Sequence, residues 1–252
     1  MLVLTNAQMR EADKFTIESK GVPALTLMER AGIALAQAGE KLAPSGKILC
    51  VCGGGNNGGD GFVCARLLKE KGREVAVVCF AEKYSEQCAV NLQKWKDMGG
   101  TIEKSIPETS YDLVIDCLFG TGFHGVLEGE SKSAVLEINC LKQQGARVLS
   151  ADIPSGVNGK NGRVNGIAVC ADETLCIGEI KTGVFLNDGM DYFSPLLFVV
   201  DKLTLVLRTD IEQTAVACYT LFVVVFVILN NVTDAHFNKF NLHGLLQWLF
   251  WF

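Results

Sequence analysis

A chain of 252 residues with 23 Lys+Arg against 28 Asp+Glu, net charge -5, is long enough for one α/β domain with a sizeable core. Its acidic balance argues against nucleic acid, whose phosphate backbone calls for a positive footprint. Ten cysteines are scattered without a C-x-x-C spacing and only three histidines are present, so structural zinc is not expected and the thiols read as buried, reduced groups of a cytoplasmic protein.

The opening MLVLTNAQMREADKF carries no basic stretch followed by an apolar one, so neither a secretory signal nor a transit peptide is expected. From Thr5 to Leu42 the spacing predicts two helices. Thr5 or Asn6 caps the first, with Met9, Ala12, Phe15 and Ile17 roughly on one face. Pro23 opens the second, with Leu25, Met28, Gly32, Leu35 and Ala36 at helical spacing. An alternation of strand and helix follows. KILCVC is a continuous apolar run, as expected of a strand buried on both faces. The Gly-rich stretch after it reads as a loop, and residues 61–71 as a helix. EVAVVCF is the next strand, 84–98 a helix, DLVIDC a strand, 131–144 a helix, RVLSAD a strand and ETLCIG a further strand. This order implies a mostly parallel sheet with helices on both faces.

In such sheets ligands bind beyond the carboxyl ends of the strands, and three strand ends here carry polar groups. KILCVC leads into GGGNNGGD, with Asn56, Asn57 and Asp60. DLVIDC ends at Asp116 and runs into LFGTGFHGV. RVLSAD ends at Asp152, with Pro154 stiffening the turn and Ser155 three residues on. The bare loop suits close approach of backbone to a phosphate-bearing ligand and tolerates positive φ. Singly, each group also fits a plainer role: an aspartate caps a turn, and Asn57 adopts left-handed backbone. Gly53, Gly55 and Gly58 with Glu82 also fit a dinucleotide fingerprint, but a dehydrogenase would not require two further polar strand ends. A P-loop is excluded, because no Gly-Lys-Ser/Thr follows the glycines. Together, amide, carboxylate and hydroxyl oxygens from Asn57, Asp116 and Ser155 suit a hard, weakly held monovalent cation. His124 has no assigned partner and reads as a loop residue, and Lys181 as a solvated one.

The segments GGGNNGGDGFVCARLL, VIDCLFGTGFHG and ADIPSGVNGKNGRV, with TNAQMREADKFTI and LMERAG before them, closely resemble the NAD(P)H-hydrate epimerase family, the YjeF N-terminal domain. The resemblance spans about residues 1–192. It implies a Rossmann-like three-layer αβα sandwich, a homodimer, and an isomerase that interconverts the R and S forms of C6-hydrated NADH and NADPH upstream of a separate dehydratase. It implies one bound K+ held by Asn57, Asp116 and Ser155. Substrate contacts carry over to Asn56, Asn57, Gly58, Gly59 and Asp60, to Gly120, Thr121, Gly122, Phe123, His124, Gly125 and Val126, and to Asp152. Asp152 is the expected catalytic group, acting as acid and then base, a role that asks its carboxyl to hold a proton well above the ordinary ~3.9. Ring opening and reclosure is the alternative route. A family member that binds the nucleotide without turning it over is the alternative function.

Composition changes after Phe193. The last 59 residues hold ten of the 21 aromatics and one of the 26 glycines. The domain is therefore expected at 1–193, with a divergent apolar tail at 194–252 and no dehydratase domain. Within the tail, AVACYTLFVVVFVIL is 15 residues without a charge, ~22 Å as a helix against a hydrocarbon layer of roughly 30 Å. The tail reads as an end foreign to the domain and prone to self-association. A membrane contact and an extra packed element are the alternatives.

Overall fold

The computed structural model describes residues 3–193 and the backbone of a strand at 196–199. In chain order the elements are β1 (Val3–Leu4), α1 (Asn6–Glu18), α2 (Ala24–Leu42), β2 (Ile48–Cys52), α3 (Asn56–Glu70), β3 (Val75–Cys79), α4 (Glu86–Asp97), β4 (Leu113–Cys117), α5 (Gly129–Gln143), β5 (Arg147–Ala151), β6 (Glu173–Ile177), β7 (Ile180–Lys181), α6 (Gly189–Tyr192) and β8 (Leu196–Val199). Six strands form one sheet in the order β3-β2-β4-β5-β6-β8, every neighbouring pair parallel. β2 and β4 are buried along their whole length, which is why they read as unbroken apolar runs.

Side chains alternate between the two faces of the sheet. Ile48, Cys50 and Cys52 of β2 pack with Leu35 of α2, Phe62 of α3 and Trp95 of α4, whereas Leu49 and Val51 pack with Val135 and Ile138 of α5. The result is the expected αβα sandwich. Seven of the cysteines, among them Cys50, Cys52, Cys64 and Cys117, are buried free thiols. Burial pushes Cys52 and Cys117 well above the ordinary thiol range, as the Cys50 hydrogen bond and then burial do for Cys64, so they act as small apolar groups. A second, two-stranded sheet pairs Val3 with Ile180 and Leu4 with Lys181, over a small cluster that includes Ile153, Val157 and Phe193.

The strand order reverses between β2 and β4. From β2 the chain steps outward to β3 and then returns past β2 to β4, so the loops leaving β2 and β4 diverge and open a crevice at their carboxyl ends.

Two expectations change. The helix after β2 starts at Asn56 instead of Gly61, so the Asn-Asn-Gly-Gly-Asp stretch is the first turns of α3 and not a loop. None of the glycines from Gly53 to Gly61 has positive φ; all but Gly55 are there for close packing. A Cβ on Gly58 would lie 1.8 Å from the Gly53 carbonyl oxygen. On α1 the buried residues are Asn6, Met9 and Thr16, and Phe15 of the expected apolar face is exposed. Thr5 does cap this helix, in a reciprocal capping box with Gln8. β8 falls beyond residue 193, within the segment expected to be divergent. The charge-free run at 215–229 lies outside the described residues, among which no helix is long and apolar enough to cross a membrane.

The closest helix contact in the α2, α3, α4 layer depends on Gly32, where a Cβ would stand 2.3 Å from Val63 Cγ1. Gly32→Ala is expected to destabilise by ~2 kcal/mol through overpacking. Combining it with Val63→Gly, which removes both Val63 Cγ1 and the Val63 Cβ that lies 2.4 Å away, should cost less than the sum of the two single changes in urea unfolding.

Candidate functional site

The crevice is organised around Asp116, the penultimate residue of β4, which is fully buried. Its Oδ2 accepts from Ser150 Oγ of β5 at 2.9 Å and from the Ser155 backbone N–H at 2.9 Å. Its Oδ1 accepts from Ser155 Oγ at 2.6 Å and from the Leu118 N–H at 3.3 Å. Burial pushes this carboxyl up and these four bonds pull it back. Ser155 Oγ in turn accepts from the Phe119 N–H at 3.0 Å, so the loop after β4 and the turn after β5 are fastened to one another through a single serine. The β4 loop is also tied to α1, whose Asn6 Nδ2 donates to the Thr121 carbonyl at 2.7 Å.

Asp152 follows β5 directly and takes left-handed backbone, φ 67°, which costs a non-glycine residue about 1–3 kcal/mol. Its N–H donates to the Leu175 carbonyl of β6 at 2.7 Å. Its Oδ1 accepts from the ammonium of Lys181, which also bonds the Ile177 carbonyl. Far from being solvated, Lys181 is 1% exposed. A Cβ built on Gly120 would stand 3.2 Å from Asp152 Oδ2 and 3.4 Å from the Asn57 side chain, so the loop after β4, the turn after β5 and the first turn of α3 meet at this glycine.

Asn57, Gly120, Asp152 and Lys181 share a cleft of ≈ 450 Å³, a size suited to a small-molecule site, whereas Asp116 and Ser155 are buried and are not among its lining residues. Asn56, Asn57, Asp60, Gly120, Thr121, Gly122, Phe123 and Asp152 all line it. Gly58 and Gly59 are buried in α3, and His124, Gly125 and Val126 lie on the exposed outer part of the loop and do not line the cleft. His124 Nδ1 is 2.8 Å from the Gly122 carbonyl, in keeping with a loop role. Asn56 Oδ1 accepts from Ser85 Oγ at 2.7 Å.

Of the charged cleft residues, Arg10, Asp13 and Arg30 were not singled out in the sequence, and Lys181 was expected to be solvated. Asp13, on α1, is open to solvent but ringed by cleft walls that weaken its hydration. That desolvation pushes its carboxyl up to about 6, with Lys181 working against the rise and Asp152 adding to it. Asp60 is held well above the usual carboxylate range, first by burial and then by the charges of Asp152 and Asp13, Lys181 offsetting part. The cleft thus holds three carboxyls and one buried ammonium, with Arg10 and Arg30 also in its wall.

The trio expected to hold a monovalent cation has fitting chemistry. Asn57 has both side-chain polar atoms buried without a hydrogen-bond partner, an arrangement that calls for a ligand. Among the described residues no cationic side chain pairs with the Asp116 carboxylate. Every candidate donor atom is oxygen, as a hard cation prefers.

The family model for the YjeF-related protein N-terminus matches residues 24–183. A protein of Limosilactobacillus fermentum named NAD(P)H-hydrate epimerase is 36% identical over 203 residues, covering 79% of this chain and 96% of that one. One of the same name from Rhodopirellula baltica is 35% identical, with 71% and 76% covered. The bifunctional NAD(P)H-hydrate repair enzyme Nnr of Methanothermobacter thermautotrophicus is 37% identical, with 74% of this chain and 38% of that protein covered. The crystal structure of yeast Ynu0 superposes with a TM-score of 0.64 at 22% identity, covering 79% of this chain and 87% of that one, and so shares the fold.

The carboxyl cluster has a measurable consequence. An acid whose pKa is raised on folding binds its proton more tightly in the folded state, so stability is lost as pH climbs from the unfolded value towards the folded one. For Asp13 that window runs from its ordinary 3.8 to about 6. Asp13→Asn removes the penalty: its Tm is expected above wild type at pH 7.5, with the gap closing by pH 4. A calorimetric Tm for the variant at or below wild type at pH 7.5 contradicts this.

Proposed function

The chain belongs to the family of the YjeF-related protein N-terminus, and we propose that it is an NAD(P)H-hydrate epimerase, interconverting the R and S forms of C6-hydrated NADH and NADPH. The observation that carries this reading is the meeting at Gly120 of the β4 loop, the turn after β5 and the start of α3, where Asn57 and Asp152 face one cleft, in a chain that aligns along nearly the whole of a protein named for that activity. A dehydratase acting on the S form would follow, and a homodimer is the assembly the reading implies.

Inversion at C6 requires the hydroxyl to leave one face of the ring and return to the other. The ring nitrogen's electron pair expels the hydroxyl as a proton reaches it, leaving a cationic C6–N1 unit. Water then adds at C6 while a base removes its proton. Asp152, hydrogen-bonded to an ammonium, serves as that base, and its protonated form returns the proton in the reverse direction. Asp60, whose proton affinity is raised by burial and by its acidic neighbours, is a second carboxyl in the same cleft that could serve as proton donor. Carboxyls on two elements, Asp152 after β5 and Asp60 on α3, suit a reaction that exchanges a group between two faces. Gly120 and Gly122 leave room for the ring, and the Phe119–Phe123 pair, with centroids 5.2 Å apart, gives the loop an apolar backing. Asn57, Asp116 and Ser155 are the residues that would hold one potassium ion. When bound, it would supply the positive charge that the buried Asp116 carboxylate lacks.

Purified R-hydrate incubated with the protein should approach the R/S equilibrium mixture on a chiral column, and Asp152→Asn should lower kcat by ~10²–10⁴ with little change in KM. Binding without interconversion by the wild type would show a silent nucleotide-binding protein instead. Replacing potassium chloride by tetramethylammonium chloride is expected to lower Tm by a few degrees, and equal melting in the two salts would remove the ion from the reading.

A further inference from the structure

We infer that Lys181 is a positioning residue of the reaction, tying Asp152 Oδ1 so that Oδ2 is the oxygen presented to the substrate. This rests on the epimerase reading above. The Lys181 ammonium donates to Asp152 Oδ1 and to the Ile177 carbonyl, which fixes two of its three N–H donors. Oδ1 receives a further, longer bond from the Ile177 N–H at 3.4 Å. Oδ2 has no hydrogen bond among the described residues and lies beside Gly120, where a Cβ would be 3.2 Å away. The two oxygens of one carboxylate are therefore inequivalent: one anchored, one open to the cleft.

The location of the pair supports a functional role. At a site this dry, stability alone favours an apolar side chain, because a buried ion pair rarely recovers the hydration its charges give up. Both members line the cleft, outside the apolar clusters. Lys181 reaches that wall through the short β1–β7 pairing of Leu4 with Lys181. Asp152 is bound there by its N–H to Leu175. With Oδ1 held, the proton of the water that adds at C6 passes to Oδ2, the C6–O bond forming as the water O–H bond breaks. The reverse step returns that proton to the departing hydroxyl. An unanchored carboxylate would rotate between its two oxygens and lose this geometry, and a misplacement of about 1 Å costs roughly 10²-fold in rate.

The test is a double-mutant cycle on R-hydrate, with wild type, Lys181→Met, Asp152→Asn and the double variant measured by chiral chromatography and each checked by thermal melting. Lys181→Met should lower kcat about 100-fold with KM changed less than about threefold, and should have no further effect once Asp152 is Asn, since it acts through that residue. Lys181→Gln, which keeps a neutral donor, should recover part of the lost kcat and serves as the single variant if the methionine form does not fold. The double variant leaves no unpaired charge. Unchanged kcat in a folded Lys181 variant, or an equal fold-loss with and without the Asp152 carboxylate, overturns the inference while wild-type turnover leaves the epimerase reading standing. No interconversion by the wild type overturns both.

Discussion

Four hydrogen bonds converge on the Asp116 carboxylate, from Ser150, the Ser155 hydroxyl, the Ser155 N–H and the Leu118 N–H. They come from β5, from the turn after β5 and from the loop after β4. One buried anion thus joins the loop after β4 to the turn after β5, two segments beyond the carboxyl edge of the ladder in which Asp116 already pairs with Ser150. Removing a charge of this kind from water costs several kcal/mol, and charge-assisted bonds offset part of that. The return is rigidity where the site needs it. Ser155 anchors one end of the turn that begins at Asp152, the Leu175 carbonyl holds the other, and Pro154 restricts the chain between them. Left-handed backbone at an aspartate persists only when its surroundings over-determine it, and those bonds do so here.

The sheet was legible in the sequence because its central strands are buried on both faces, so their apolar runs had no polar interruption to mislead. The strand-end residues Asn57, Asp116, Asp152 and Ser155 were legible for a related reason. In a parallel sheet the carboxyl ends fall on one edge, and polarity there is informative before any contact is known. The start of α3 was not. Glycines at 58, 59 and 61 read as flexibility, whereas their small size lets α3 sit against β2, β4 and α2. A Cβ on Gly61 would stand 2.7 Å from Cys52 Sγ, and one on Gly59 2.5 Å from Met28 Sδ. Helix propensity is a local quantity, and tertiary packing outweighed it.

Lys181 and Asp13 were missed for a different reason, since neither carries a local signal. The burial of Lys181 comes from pairing between residues 3–4 and 180–181, a contact spanning most of the domain. Asp13 lies on a helix whose inward side is not its most apolar one. Asn6, Met9 and Thr16 face the protein, and Asn6 spends its amide on the β4 loop. A helix that walls a polar cleft breaks the rule that links apolar periodicity to burial, and the break is itself a mark of the site.

The same cleft shows why its charges are arranged as they are. Carboxyls drawn out of water into one cleft are unfavourable for folding at neutral pH, and Asp13 and Asp60 register that in a proton affinity raised first by desolvation and then by their acidic neighbours. Under the epimerase reading they gain a purpose when the C6–O bond breaks, because the ring then carries positive charge that the neutral hydrate does not. Negative groups fixed around it favour the transition state over the ground state, which is the form of interaction that accelerates a step. A dinucleotide's phosphates would be repelled from that same end. Under the epimerase reading, Arg10 and Arg30 in the cleft wall and the N-terminus of α3 offer them complementary charge.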